Sequence, residues 1–200
     1  MMISKAYRTC GVIKRAIGFN APAKVKLQLF KSLCMSILDY CSSVWSPHSK
    51  VLIKKMEHIQ RSMNRYIVND PANDLSYTER CMNLQLLPLS YRREINDLLL
   101  VFKALFGPLH GVFTNEISYC NSSHNLSSLN HGARTETFIS SFFHRIVQLY
   151  NILPLSVRNA NSLSAFKLKL FNHYFDKLAQ YDITNSCTLT SLCRCQGFPH

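Results

Sequence analysis

Lys50, Lys54, His58, Arg61 and Arg65 follow one another at intervals of four, four, three and four residues, so on a helix they stack along one side. Cations at that pitch can meet successive phosphates of a nucleic-acid strand, holding the backbone without reading bases. Taken alone, the stripe equally suits the polar face that any amphipathic helix needs. Its surroundings favour the phosphate reading. Residues 1–70 hold twelve Lys and Arg, including Lys5, Arg8, Lys14, Arg15, Lys24, Lys26 and Lys31, against only Asp39, Glu57 and Asp70. This segment carries most of the net charge of +12 that arises from 23 Lys and Arg and 11 Asp and Glu in 200 residues.

Catalytic chemistry finds little support. Two-metal polymerases and nucleases need carboxylates that share ions about 4 Å apart. The aspartates at 39, 70, 74, 97, 176 and 182 are isolated in sequence, and we expect them mostly on helix or turn surfaces. There is no glycine-rich phosphate loop among six glycines, and no His-Glu-x-x-His or Gly-x-Ser-x-Gly motif. No catalytic residue is therefore assigned. Cys187, Cys193, Cys195 and His200 are candidate zinc ligands, but the one-residue gap between Cys193 and Cys195 is tighter than a standard zinc site uses. No other cofactor and no small-molecule substrate is indicated. The eight cysteines are scattered, several of them inside helix-like apolar faces, which suits free buried thiols of a reducing compartment, cytoplasmic or nuclear, better than a disulfide framework. No apolar run is long enough for a membrane span, and the basic start at Met1 to Arg15 lacks the apolar block of a secretory signal.

The elements that must position these residues read as helices throughout, and the expected class is all-α. Ile3, Ala6, Tyr7, Cys10, Ile13 and Ile17 recur at helical spacing, with Lys5, Arg8 and Arg15 opposite. Pro22 opens a long second helix whose expected apolar arc is Leu29, Phe30, Leu33, Ile37, Tyr40, Cys41, Val44 and Trp45, and Pro47 ends it. Tyr40 and Trp45 could stack on bases. Their place on that arc instead predicts core packing. Ser49 is placed to cap a third helix with Leu52, Met56, Ile59, Met63 and Ile67 inward. These three form the expected basic bundle, residues 1–69. A helical extension covers 70–112, with a capping box at Ser76 to Glu79 and a helix from Tyr91 to Phe106 that Gly107-Pro108 terminates. Residues 113–137 are rich in Asn and Ser and read as a linker. A smaller helical region follows over 138–181, with Pro154 opening a short turn and Ser162 capping a last helix, and 182–200 form a cysteine-containing tail.

Several segments, in order, resemble one family. They are Gly11-Val12-Ile13-Lys14-Arg15, then Leu38-Asp39-Tyr40-Cys41-Ser42-Ser43-Val44-Trp45-Ser46-Pro47, then Leu75-Ser76-Tyr77 with Glu79-Arg80. Leu87-Pro88-Leu89 with Tyr91-Arg92-Arg93 and Tyr150-Asn151-x-Leu153-Pro154 with Ser162-x-Ser164-x-Phe166-Lys167 come next. Together they are similar to the carboxy-terminal part of reverse transcriptases from jockey-like non-LTR retrotransposons. The resemblance implies that the first helices are a thumb gripping an RNA or RNA–DNA template-primer. It also implies that the Asp-Asp polymerase motif and the endonuclease belong upstream, outside this chain. Position 150 is Tyr where the family pattern often has Trp, and no fourth cysteine follows Cys195 at close spacing.

The leading expectation is thus a fragment of an RNA-directed DNA polymerase that lacks the catalytic palm and is not an enzyme on its own. Sequence-independent nucleic-acid binding would run through Lys5, Arg8, Lys14, Arg15, Lys50, Lys54, His58, Arg61 and Arg65. A non-functional remnant of a truncated mobile element and a small zinc-dependent interaction module are the alternatives.

Overall fold

The structure is a computed structural model, and it describes residues 2–45, 47, 49–120, 124–128 and 141–184. The chain is mostly helical, with one two-stranded sheet among the described residues. It divides into two compact units, 1–92 with 175–200 and 93–174.

In the first unit, α1 (Met2–Ile17) buries Ala6, Cys10 and Ile13, while Tyr7 on the same expected face stays 40% exposed. Gly18 comes next with φ +64°, the left-handed step that ends a helix and that side chains rarely adopt. The second helix departs from expectation. Instead of one helix to Pro47, the chain forms α2 (Ala23–Leu29), a π-helical turn (Phe30–Met35), α3 (Ser36–Asp39), a break at Cys41 with φ +49°, and α4 (Ser42–Trp45). A π turn inserts one extra residue and rotates the later turns about the helix axis. Phe30, Cys34, Met35 and Leu38 therefore face the core, whereas Leu33, Tyr40 and Val44 of the expected arc are exposed. Tyr40 is thus no core residue. Trp45 packs half-buried against the core, and its indole N–H donates to the Tyr40 carbonyl.

The third long helix, α5 (Lys50–Val68), buries Met56, Ile59, Met63 and Ile67 as its spacing predicts, but Ile53 takes the place of Leu52, which is 41% exposed. Ser49 stands at its N-cap without a side-chain cap bond. Asn69, at φ +58°, ends it in the left-handed conformation. The inward faces of α1, the π turn and α5 share one core. Contacts between positions 7 and 55 and between 14 and 62 rise together, so α1 and α5 run parallel. In the segment between them Lys26 meets Phe19 whereas Cys34 meets Cys10 and the Ala6 carbonyl, so it runs the other way.

The Ser76 hydroxyl and Glu79 carboxylate satisfy each other's backbone N–H groups at the start of α6 (Tyr77–Asn83), as a capping box requires. The interior between α5 and α6 is polar in places. Glu57 accepts from the Tyr77 hydroxyl and the Ser90 amide, Gln60 donates to the Leu87 carbonyl, and Asn64 donates to the Cys81 sulfur.

α7 (Leu89–Phe106) ends at Gly107, where a Cβ would stand 3.0 Å from the Lys103 carbonyl oxygen. The expected linker then contains structure. β1 (Ile117–Cys120) and β2 (Asn125–Ser128) pair antiparallel, with Tyr119 opposite Leu126. Ile117 and Leu126 are buried, and the Ser118 and Ser127 hydroxyls meet at 2.6 Å on the other face. The outward edge of β2 is covered by α8 (Phe142–Ile152): the Asn151 carboxamide accepts from the Leu126 amide and donates to its carbonyl, both at 2.9 Å. That bidentate clasp satisfies a strand edge that would otherwise be left unpaired.

Pro154 precedes α9 (Leu155–Arg158), and the Ser162 hydroxyl accepts from the Ala165 amide at the start of α10 (Leu163–Thr184). Phe166, Leu170 and Tyr174 are buried, and Phe166 stacks on Phe102 with centroids 4.5 Å apart. The aspartates expected on surfaces include two that are not. Asp70 is 8% exposed and paired to Arg80 at 2.6 Å, and Asp97 is fully buried and bonded to Arg145 at 2.8 Å. Each guanidinium replaces the water that a buried carboxylate loses.

Ile59 lies in the middle of the shared core at 1% exposure. Ile59→Ala is expected to destabilise the first unit by about 2–5 kcal/mol, read as a lower midpoint in urea unfolding with an unchanged slope.

Candidate nucleic-acid interface

A cleft of about 650 Å³ opens on the first unit where α1, α5 and the turn before α6 meet. Lys14 reaches it from α1, and His58, Arg61 and Arg65 reach it from successive turns of α5. These four are the expected nucleic-acid-binding residues that the fold brings together. Lys50 and Lys54 continue the α5 stripe on exposed surface outside the cleft, and Lys5, Arg8 and Arg15 are exposed on α1. Lys24 and Lys31 are exposed as well.

Lys26 is the exception, because it is completely buried and offers nothing to a phosphate. Its ammonium donates to the Phe19 carbonyl at 2.6 Å, the Tyr66 carbonyl at 3.3 Å and the Asn69 side-chain oxygen. It also lies 4.6 Å from the Tyr66 ring centroid and 5.0 Å from that of Phe19. Burial lowers its pKa below that of an ordinary lysine. Spacing alone makes Lys26 a surface cation, since its own helix offers no clue that the end of α5 closes over it.

Within the cleft Lys14, Arg61 and Arg65 are held by uncharged groups. The Lys14 ammonium donates to the Ser62 hydroxyl at 2.9 Å and lies 5.6 Å from the Tyr66 ring centroid. Arg61 lies over the Tyr77 ring at 5.4 Å, and Arg65 donates to the Pro71 carbonyl at 3.2 Å. The Arg61 Nε is buried with no hydrogen-bond partner among the described residues. Burial raises the Tyr66 pKa, and burial followed by the nearby Glu57 carboxylate raises that of Tyr77 well above the usual phenol range. Both rings thus stay neutral and carry no charge repelling an anion.

Arg80, Asn73, Tyr77 and Phe19 also line the cleft, and sequence spacing assigns none of them to a binding surface. Arg80 is not a free cation, since it donates to Asp70 and, at 3.1 Å, to Asn73. Asp70 organises the wall by also accepting from the Asp74 and Leu75 amides. Nothing in the local spacing signals this arrangement, because it depends on a turn placing a carboxylate ten residues before its arginine.

Among the described residues no group of three or more His, Cys, Asp or Glu could hold a metal ion. Cys187, Cys193, Cys195 and His200 lie outside the described residues. Among the described residues no helix is long and apolar enough to cross a membrane. Compared with protein families, curated proteins and solved structures, the chain matches none.

Burial alone would raise the Asp70 pKa, but the Asp74 amide, Arg80 and the Leu75 amide outweigh it and hold the carboxyl below its ordinary value. A carboxylate whose folded pKa lies below its unfolded value adds stability above the unfolded pKa of about 3.9. That stability is lost as pH falls through the folded value. Asp70→Asn is therefore expected to be less stable at neutral pH and to lose stability less steeply on acidification, measured by chemical unfolding across the acid range.

Proposed function

We propose that this chain binds nucleic acid through its sugar-phosphate backbone, as the thumb and downstream part of a retrotransposon-type reverse transcriptase, and does not itself polymerise. The observation that carries the reading is the convergence of Lys14 on α1 with His58, Arg61 and Arg65 on α5 at one cleft. The two helices run parallel and keep these groups in a row, with Lys50 and Lys54 extending it along α5. Guanidinium and ammonium groups spaced by helical turns suit consecutive phosphates, with arginine adding bidentate geometry. The contacts reach backbone rather than base edges, so the binding is sequence-independent and strongly weakened by salt. The ordered segments that resemble the reverse-transcriptase family suggest the substrate class, an RNA or an RNA–DNA duplex.

Fluorescence anisotropy with a labelled RNA–DNA duplex across a salt series tests the proposal. Affinity is expected to fall linearly with salt on logarithmic axes. The combined Lys14→Gln, Arg61→Gln and Arg65→Gln variant, verified as folded by its melting curve, should weaken binding to all sequences alike. Its salt slope should be smaller by about 0.9 per phosphate contact removed. Absent binding at low salt, or binding indifferent to salt and to these substitutions, overturns the proposal.

A further inference from the structure

Cys10 on α1 and Cys34 in the π-helical turn place their sulfurs 3.1 Å apart inside the shared core. They are 6% and 0% exposed, so the contact is set by packing and not by surface mobility. The π turn makes the pairing, because the extra residue rotates Cys34 inward from a face that otherwise carries exposed Leu33. Two sulfurs already in contact need an approach of only about 1 Å to reach bonding distance. We propose that Cys10 and Cys34 form a redox modification site, in which a peroxide-class oxidant joins α1 to the second helical segment through a disulfide.

The surroundings assign the two sulfurs different roles. The hydrogen bond from Cys34 and the charge of Lys14, one turn along α1, lower the Cys10 pKa against the opposing effect of burial. The hydrogen bond to Cys10 and burial raise that of Cys34. Of the two, Cys10 is the more readily deprotonated and is the attacking sulfur, and Cys34 is the resolving thiol. Cys10 sulfur attacks one peroxide oxygen, the O–O bond breaks, and a sulfenic acid forms while the departing hydroxide takes up the proton that the Cys10 thiol loses and becomes water. Cys34 sulfur then attacks Cys10 sulfur, the S–O bond breaks, and the leaving hydroxide takes the Cys34 proton as a second water. The two thiols lose two electrons and the peroxide gains them.

The other described cysteines serve as internal controls. Cys81 is buried, with its thiol pushed up to about 12, chiefly by burial. Cys41 and Cys120 are exposed thiols. A bond between residues 10 and 34 closes a loop in the unfolded chain, so linkage is expected to raise the resistance of the first unit to unfolding.

The test treats the native full-length chain with hydrogen peroxide, blocks remaining thiols with N-ethylmaleimide in denaturant, and maps the unreduced proteolytic peptides by mass. The expected product is a Cys10–Cys34 linked peptide, lighter by two hydrogens than its parts, with Cys81 alkylated. Cys10→Ser and Cys34→Ser abolish it. Cys41→Ser changes an exposed residue, so it should retain both the link and a melting temperature that rises on oxidation and returns with dithiothreitol. Full alkylation of both cysteines after oxidation, linkage of Cys34 to Cys41 instead, or a melting temperature that falls on linkage overturns the proposal.

Discussion

A lysine ammonium without water around it constrains the first unit. A buried charge costs several kcal/mol unless its hydrogen bonds are replaced, and among the described residues carbonyl and carboxamide oxygens, not a carboxylate, replace them for Lys26. Its partners are the Phe19 carbonyl after α1, the Tyr66 carbonyl in the last turn of α5 and the Asn69 side chain just beyond it. The carbonyls of a last helical turn lack intrahelical partners and carry the negative end of the helix dipole, so this is the part of α5 best suited to receive a cation. Satisfying Lys26 therefore brings the end of α1, the start of α2 and the end of α5 to one point. Tyr66 reinforces it by donating its hydroxyl to the Gly18 carbonyl. The left-handed steps at Gly18 and Asn69 are what allow both helix ends to stop there.

The cleft is a consequence of that junction. Lys14 sits one turn before the end of α1, and Arg61 and Arg65 lie near the end of α5, so closing both helices around Lys26 sets their cations side by side. The acidic residues have partners of their own: Asp39 pairs with Arg92, Asp70 with Arg80 in the cleft wall and Asp97 with Arg145, while Glu57 accepts from Tyr77 and Ser90. The direct contacts that hold Lys14, Arg61 and Arg65 are to a hydroxyl, an aromatic ring and a carbonyl. The excess of basic residues thereby becomes a local feature with a shape. On our proposal it grips a backbone, and the same core that supports it holds the Cys10–Cys34 contact one turn from Lys14.

Much of the secondary structure is legible in the sequence because it depends on near neighbours. Helical periodicity locates α1, α5 and α7, the Ser76–Glu79 pair locates the start of α6, and Ser162 locates that of α10. Three features mislead for identifiable reasons. A π turn leaves no mark on a period of 3.6, so the arc expected over residues 29–45 is rotated. A four-residue strand, Ile117–Cys120, shows too little alternation to stand out among Asn and Ser. The carboxylate expected at a surface at Asp97 is buried by an arginine 48 residues away.

The sequence by itself determined that the chain is helical and that its positive charge concentrates in the first third, since both depend on residue type and spacing of at most four positions. It also determined the row along α5, which is a property of one helix. Tertiary structure decided which cations share a surface, turning Lys26 inward and bringing Lys14 to Arg61 and Arg65. It also decided that a stretch rich in Asn and Ser would hold two paired strands, with the Asn151 side chain completing their edge. Those outcomes depend on where a polar group finds partners once water is excluded, and such partners come from segments far apart in the chain.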